Sequence, residues 1–174
     1  MNATLRAMVA PLALGFAVGA LPAAAARPSP PRDAPEIHAD AWINGEPGTM
    51  ADLRGRVVLV EFFTFACGNC QNVEPHLKRW HARYADQGLV TVAVHTPELA
   101  FERDVAKLRA YVTEHGIEYP VAVDGGYTTW RRFRNWAWPT IYLVGKQGRI
   151  RHVRVGEGGY DETEATIRAL LAEP

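Results

Sequence analysis

Cys67 and Cys70 stand three residues apart and are the only cysteines in the chain. Paired with each other they close a very short loop. The stabilisation a disulfide gives grows with the loop it closes, so this one would add little to the fold. The pair reads as chemistry rather than as a staple. The chemistry open to it is thiol–disulfide exchange, in which a thiolate attacks a disulfide sulfur.

The flanking sequence shows how one sulfur would be ionised and the other sheltered. Val57-Val58-Leu59-Val60-Glu61-Phe62-Phe63 is almost continuously apolar, as in a central parallel strand covered on both faces. Beyond it, Val73, Leu77, Trp80 and Tyr84 recur at helical spacing, which predicts a helix from about Cys67 to Asp86. Cys67 then lies at the helix start, beside unpaired backbone N–H groups and the positive end of the helix dipole. Both favour its thiolate. Cys70, one turn further in, is expected to be more buried. Cys67 would attack or be attacked to give a mixed disulfide, and Cys70 would then displace the partner.

Three further residues bear on that site. Glu61 is an acid in an otherwise apolar strand, six positions before Cys67. Burial would raise its pKa and suit it to exchange a proton with Cys70; the competing expectation is a carboxylate bonded to a neighbour or turned out at the sheet edge. Pro75 falls inside the first helix, where proline removes a hydrogen bond and can kink the axis. Trp138-Pro139-Thr140 precedes a strand and permits a cis Trp138–Pro139 bond, against the trans proline that more often opens a strand. A cis bend would set the Trp138 backbone beside the sulfurs, open to an extended substrate segment. Phe65 and Trp138 are expected to border the sulfurs as an apolar rim, with Gly68 and Asn69 in the same contact surface. By ordinary preference most of the group Phe62, Phe63, Phe65, Trp136 and Trp138 would be core.

The elements around the site alternate. A short strand begins near Ala41, and strands follow at Val57–Phe63, Leu89–Val94, Pro120–Asp124, Thr140–Val144 and Ile150–Val155. Between them come the first helix, a second with Phe101, Val105, Leu108 and Val112 on one face, and a short third from Tyr127 to Asn135. The last two strands form a hairpin about Gln147-Gly148. A final helix starts near Asp161, with Glu164 completing a capping box. This is an α/β fold with a mixed central sheet.

The chain has 174 residues, 48% apolar and 22% charged, with a formal net charge of zero. That argues against a nucleic-acid partner held by electrostatics. The Arg131-Arg132-Phe133-Arg134 cluster reads as a solvated face. Residues 1–26 carry one charge, Arg6, followed by an uncharged stretch ending in Ala23–Ala26. This is the pattern of a secretory signal, with an uncleaved membrane anchor as the alternative. Either way the remainder is expected outside the cytoplasmic membrane, where disulfides persist. Membrane contact is expected only if the segment is retained; it has no cysteine for lipid attachment. Residues 27–36 are proline-rich and read as an extended tether, and the domain proper is expected over 37–174.

The Cys-x-x-Cys after an apolar strand, Glu61 before it, Pro75 eight residues after Cys67 and Trp138-Pro139-Thr140 before a hairpin together resemble the thioredoxin superfamily. The segment between Cys70 and Pro139 is longer than in plain thioredoxin by about one α-β unit, as in the extracytoplasmic TlpA/ResA-like branch. Val94-His95-Thr96-Pro97-Glu98, Tyr119-Pro120 and Gly156-Glu157-Gly158 resemble more narrowly the soluble C-terminal module of DipZ-type proteins. The resemblance implies a thioredoxin-like fold with an N-terminal extension and an α-β insertion. It implies Cys67 as nucleophile, Cys70 as resolving thiol, Glu61 as proton carrier and Pro139 as the cis-proline. No cofactor beyond the Cys67–Cys70 disulfide is implied. The implied partners are protein disulfides or dithiols and a separately encoded membrane electron donor of CcdA/DsbD type, with cytochrome c maturation or thiol repair as the setting.

The chain departs from the pattern at two places. Gly68-Asn69 contains no proline, and Val73 stands where some members carry an acid, with Glu74 next. Two other functions fit parts of the sequence. One is a thiol peroxidase on a related fold. The other is a metal site that recruits some of the six histidines. His95, at the end of a central strand, is expected to be a hydrogen-bonded structural residue.

Overall fold

The computed structural model describes residues 32–174; the signal-like segment 1–26 lies outside the described residues. Six strands form one sheet: β1 (Ala41–Ile43), β2 (Val57–Phe63), β3 (Leu89–His95), β4 (Val121–Val123), β5 (Thr140–Val144) and β6 (Ile150–Val155). Their spatial order is β1-β4-β3-β2-β5-β6. β2, β3 and β4 run parallel, while β1, β5 and β6 join antiparallel. Four helices complete the chain: α1 (Gly68–Tyr84), α2 (Val105–Glu114), α3 (Thr128–Phe133) and α4 (Tyr160–Ala172).

Every residue of β2 is buried, because β3 and β5 cover its edges and side chains cover both its faces. Alternation splits those side chains. Val57, Leu59 and Phe63 enter one core with Cys70, Val73, Leu77 and Trp80 of α1, Leu108 and Val112 of α2, and Ile167 and Leu170 of α4. Val58, Val60 and Phe62 enter a second core with Phe133 of α3 and with Met50 and Leu53. Phe62 meets the rings of Trp130, Phe133 and Tyr142 edge-on at 5.3–5.8 Å.

Several expectations are corrected. The second helix does not reach back to Phe101. Asp104 caps α2 by accepting the N–H groups of Ala106 and Lys107 at 2.9 and 3.3 Å, a strong N-cap arrangement. Residues Ala100–Arg103 form a separate 3-10 turn, and Phe101 is 47% exposed. The final helix starts at Tyr160 behind Gly159, with no side-chain cap. Glu164 instead accepts from the Tyr84 hydroxyl at 2.6 Å. α1, by contrast, runs through Pro75 as the spacing predicts. Trp136 is not core: it is 73% exposed in the loop before β5. The hairpin turn after β5 places Gly148 at φ +73°, where a Cβ would lie 2.4 Å from the Arg54 guanidinium.

The proline-rich segment is docked rather than free from residue 32 onward. Ile150 N–H donates to the Arg32 carbonyl at 2.8 Å and Ala34 N–H to the Gly148 carbonyl at 2.9 Å. The Glu36 carboxylate accepts the Met50 N–H at 2.8 Å. An extended backbone suits this role, since its N–H and C=O groups face outward to pair with β6 and the hairpin turn. A chain beginning at Ile37 is expected to lose about 1–2 kcal/mol of stability. Thermal unfolding checks this; an unchanged midpoint would show that the segment is a tether after all.

Candidate active site at the end of strand β2

Cys67 and Cys70 are joined as a disulfide, with Cα atoms 5.2 Å apart. Cys67 is the N-cap of α1, in extended conformation, and its sulfur accepts the Cys70 N–H at 3.3 Å. It is half-buried, whereas Cys70 is only 3% exposed. The two sulfurs therefore differ as the helix start requires: one can be reached from solvent and the other faces the core. Gly68 and Asn69 are exposed between them.

Glu61 is 3% exposed and lies in the central strand between Ala93 of β3 and Ile141 of β5. Neither neighbour's side chain can give it a hydrogen bond. Odd-numbered β2 side chains face α1, so Glu61 is on the Cys70 side of the sheet. Its carboxyl is pushed well above the usual range by burial first and by the charge of Glu74 second. The edge-strand alternative for Glu61 is thereby set aside.

Glu74 is a residue that sequence reasoning noted but did not place. It is buried on α1, one turn beyond Cys70, and accepts from Tyr111 OH at 2.6 Å, Lys78 Nζ at 2.8 Å and His115 Nδ1 at 2.9 Å. Burial alone would raise its carboxyl. Hydrogen bonds from Lys78 and Tyr111, with the Lys78 and His115 charges, outweigh that and hold it below its ordinary value. Burial, the Glu74 bond and nearby acids push the Tyr111 phenol upward.

Trp138–Pro139 is a cis peptide. β5 pairs Thr140 with Phe62, which brings this bond to the end of β2 where the cysteines begin. Pro139 is buried, and its carbonyl accepts the Gly156 N–H at 2.8 Å. Trp138 is partly buried and packs on Trp130 at 4.2 Å. Phe65, Cys67 and Trp138 all pack at the border of the core that holds Cys70.

His95 is 1% exposed and stacks on Phe65 at 5.4 Å, with Nε2 3.4 Å from the Thr64 hydroxyl. Desolvation lowers its pKa to about 4, against a smaller opposing pull from Glu102. It is thus neutral at physiological pH, and although the end of a central strand is an edge where sites collect, its contacts here are with Thr64 and the aromatic rings around it. Among the described residues no group of three or more His, Cys, Asp or Glu side chains converges to hold a metal ion.

A parallel strand that ends in a Cys-x-x-Cys helix cap, beside an antiparallel strand that starts at Thr140, is the arrangement of a thioredoxin-like domain with a dithiol site. The comparisons agree. A model of the AhpC/TSA family matches residues 30–153, and the chain belongs to that family. It is 31% identical over 140 residues to the thiol-disulfide oxidoreductase YkuV of Bacillus subtilis, covering 80% of this chain and 94% of that one. It is 42% identical over 133 residues to the protein DipZ of Mycobacterium tuberculosis, covering 75% of this chain but only 19% of DipZ. Among solved structures, a thioredoxin-like superfamily protein superposes with a TM-score of 0.76 at 27% identity, covering 82% of this chain and 97% of that one.

The buried neutral histidine gives a test. Below pH 6.5 the unfolded chain takes up a proton that folded His95, with its pKa of about 4, refuses. Stability is therefore complete above pH 6.5 and falls as pH drops toward 4. At pH 5 the loss is about 2 kcal/mol. Urea unfolding of wild type and His95→Gln at pH 7 and pH 5 reads it: the variant is expected to lack this share of the acid-side decline, and equal declines would contradict the account.

Proposed function

We propose that the chain works outside the cytoplasmic membrane as a reductant of protein disulfides, using Cys67 as the attacking sulfur. The observation that carries the assignment is the contrast between the two sulfurs: Cys67 is accessible at the helix cap and Cys70 is buried on the Glu61 side of the sheet.

The Cys67 thiolate attacks one sulfur of the partner's disulfide. A mixed disulfide forms and the partner's other sulfur leaves as thiolate. Cys70 gives its proton toward the Glu61 carboxylate and attacks the Cys67 sulfur. The Cys67–Cys70 disulfide closes, and the partner's second sulfur leaves. Two electrons have moved from the Cys67–Cys70 pair to the partner, whose two thiolates take up protons. Trp138 presents its backbone beside the sulfurs, with the cis Pro139 setting the bend, and Phe65, Gly68 and Asn69 contribute to the contact surface. The disulfide itself is the redox group.

The extracytoplasmic setting is supported by the signal-like residues 1–26, and the reducing direction by the resemblance to TlpA/ResA-like proteins. A membrane donor of CcdA/DsbD type would return electrons to the pair. Among the described residues no helix is long and apolar enough to cross a membrane.

Cys67→Ser is expected to abolish exchange with a small disulfide reagent, while Cys70→Ser accumulates the mixed disulfide. Glu61→Gln is expected to slow resolution by about 10²-fold while sparing the first attack. Stopped-flow kinetics on the reduced protein separates the two steps. A potential of the couple near −270 mV, about that of thioredoxin, supports the reductant; one near −120 mV would reverse the direction. Peroxide consumption that outpaces disulfide exchange would favour the peroxidase alternative.

A further inference from the structure

The turn that delivers Cys67 to its helix is Thr64-Phe65-Ala66-Cys67, closed by the Cys67 N–H on the Thr64 carbonyl at 3.2 Å. A side chain from far along the chain grips its middle. Glu102 Oε1 accepts the Ala66 N–H at 3.1 Å, and Thr64 is among the groups that stabilise its charged form. Its other oxygen accepts the N–H groups of Glu98 and Leu99 at 2.7 and 2.6 Å. The loop that supplies Glu102 follows His95-Thr96-Pro97-Glu98, a motif without a role in the exchange steps above. That loop is fixed in turn. Thr96 bonds Asp124 at 3.2 Å, Tyr127 OH donates to the Pro97 carbonyl, and His95 and Phe101 flank the Phe65 ring.

Glu102 is 2% exposed. Burial alone would raise its carboxyl, yet Thr64 and the N–H groups of Leu99, Ala66 and Glu98 outweigh burial and keep it ionised. All four groups are neutral, so they spread the charge without cancelling it. The carboxylate oxygen is one hydrogen bond from Ala66, the residue before Cys67. Covalent geometry therefore keeps the Cys67 sulfur within about 11 Å of it. A full negative charge at that distance opposes the partial positive charge of the α1 N-terminus.

We propose that Glu102 is a positioning residue for the exchange reaction: its carboxylate holds the turn that presents Cys67 and, by its charge, opposes build-up of negative charge on that sulfur. This rests on Cys67 being the attacking sulfur. The consequence is a pair that holds its electrons less tightly than a bare helix cap would make it, and so a better donor to partner disulfides. Reach and charge make separable contributions. Glu102→Gln removes the charge and keeps the side-chain length, with its one acceptor oxygen left for the Ala66 N–H and its NH2 turned to the Glu98 and Leu99 N–H groups, which lose their acceptor. Glu102→Asp keeps the charge and withdraws it from the Ala66 N–H by one methylene.

The test is the pH dependence of Cys67 alkylation in the reduced full-length protein, with the Cys70→Ser background isolating the one thiol. Glu102→Gln is expected to lower the Cys67 pKa by roughly 0.3–1.2 units. At pH above the thiol pKa values the intact pair then becomes more oxidising, by up to about 30 mV for a full unit. Glu102→Asp is expected to leave the pKa near that of wild type but to slow attack on a small disulfide several-fold. An unchanged Cys67 pKa in folded Glu102→Gln, checked by circular dichroism, overturns the charge role. A Glu102→Asp variant as fast as wild type overturns the positioning role. Should the variants fail to fold, wild-type amide exchange decides: Ala66 N–H is expected to be protected, and exchange as fast as that of the exposed Asn69 would overturn the grip. These outcomes are distinct from failure of the underlying reading, which Cys67→Ser alone decides by retaining or losing exchange.

Discussion

Complete burial of β2 is the constraint on which the rest depends. A strand paired along both edges and covered on both faces can present nothing to solvent except at its ends. Its C-terminal end is therefore where chemistry can reach the surface, and the chain turns there into α1 with Cys67 at the cap. The same burial converts Glu61 from an ordinary acid into one that resists ionisation, because Ala93 and Ile141 occupy the flanking positions. Strand, helix cap and buried acid are one arrangement rather than three. Moving β2 by one residue would turn Glu61 toward the Phe62 core and away from α1.

Three acids near the site share burial and differ in what holds them. Glu61 has apolar flanks and is raised. Glu74 has a lysine, a tyrosine and a histidine and is lowered. Glu102 has backbone N–H groups and a threonine and is lowered. Desolvation acts in the same direction on all of them, so the sign is decided by the donors each local fold supplies. The ionised Glu74 in turn adds to the resistance of Glu61, which couples the helix to the strand electrostatically.

Much of this was legible in the sequence, for identifiable reasons. β2 and its acid stood out because seven near-apolar residues with one charge match no exposed element. α1 was readable from Val73, Leu77, Trp80 and Tyr84, and the hairpin from its glycine turn. The misreadings share one cause: local patterns do not report distant partners. Phe101 fits the spacing of α2, but Asp104 caps the helix after it. Asp161 and Glu164 have capping-box spacing, but Glu164 is taken by Tyr84 from α1. Trp136 looks like core by composition and is held out by the loop geometry around Asn135 and Ala137. Glu102 was invisible as a site residue, since its partner Ala66 lies 36 positions upstream and offers only a backbone N–H. Its single trace was the unexplained motif beginning at His95.

The docked segment at residues 32–34 has a bearing on how the molecule is held. It bonds at Gly148 and Ile150, beside the end of β5 that pairs with the start of β2. The sulfurs lie past the other end of β2, about 20 Å away along the strand. Arg32, the first described residue, thus lies at the pole of the domain opposite the sulfurs. An attachment there, whether to a surface or to another module, would leave the dithiol pointing outward and unshadowed by its own mooring.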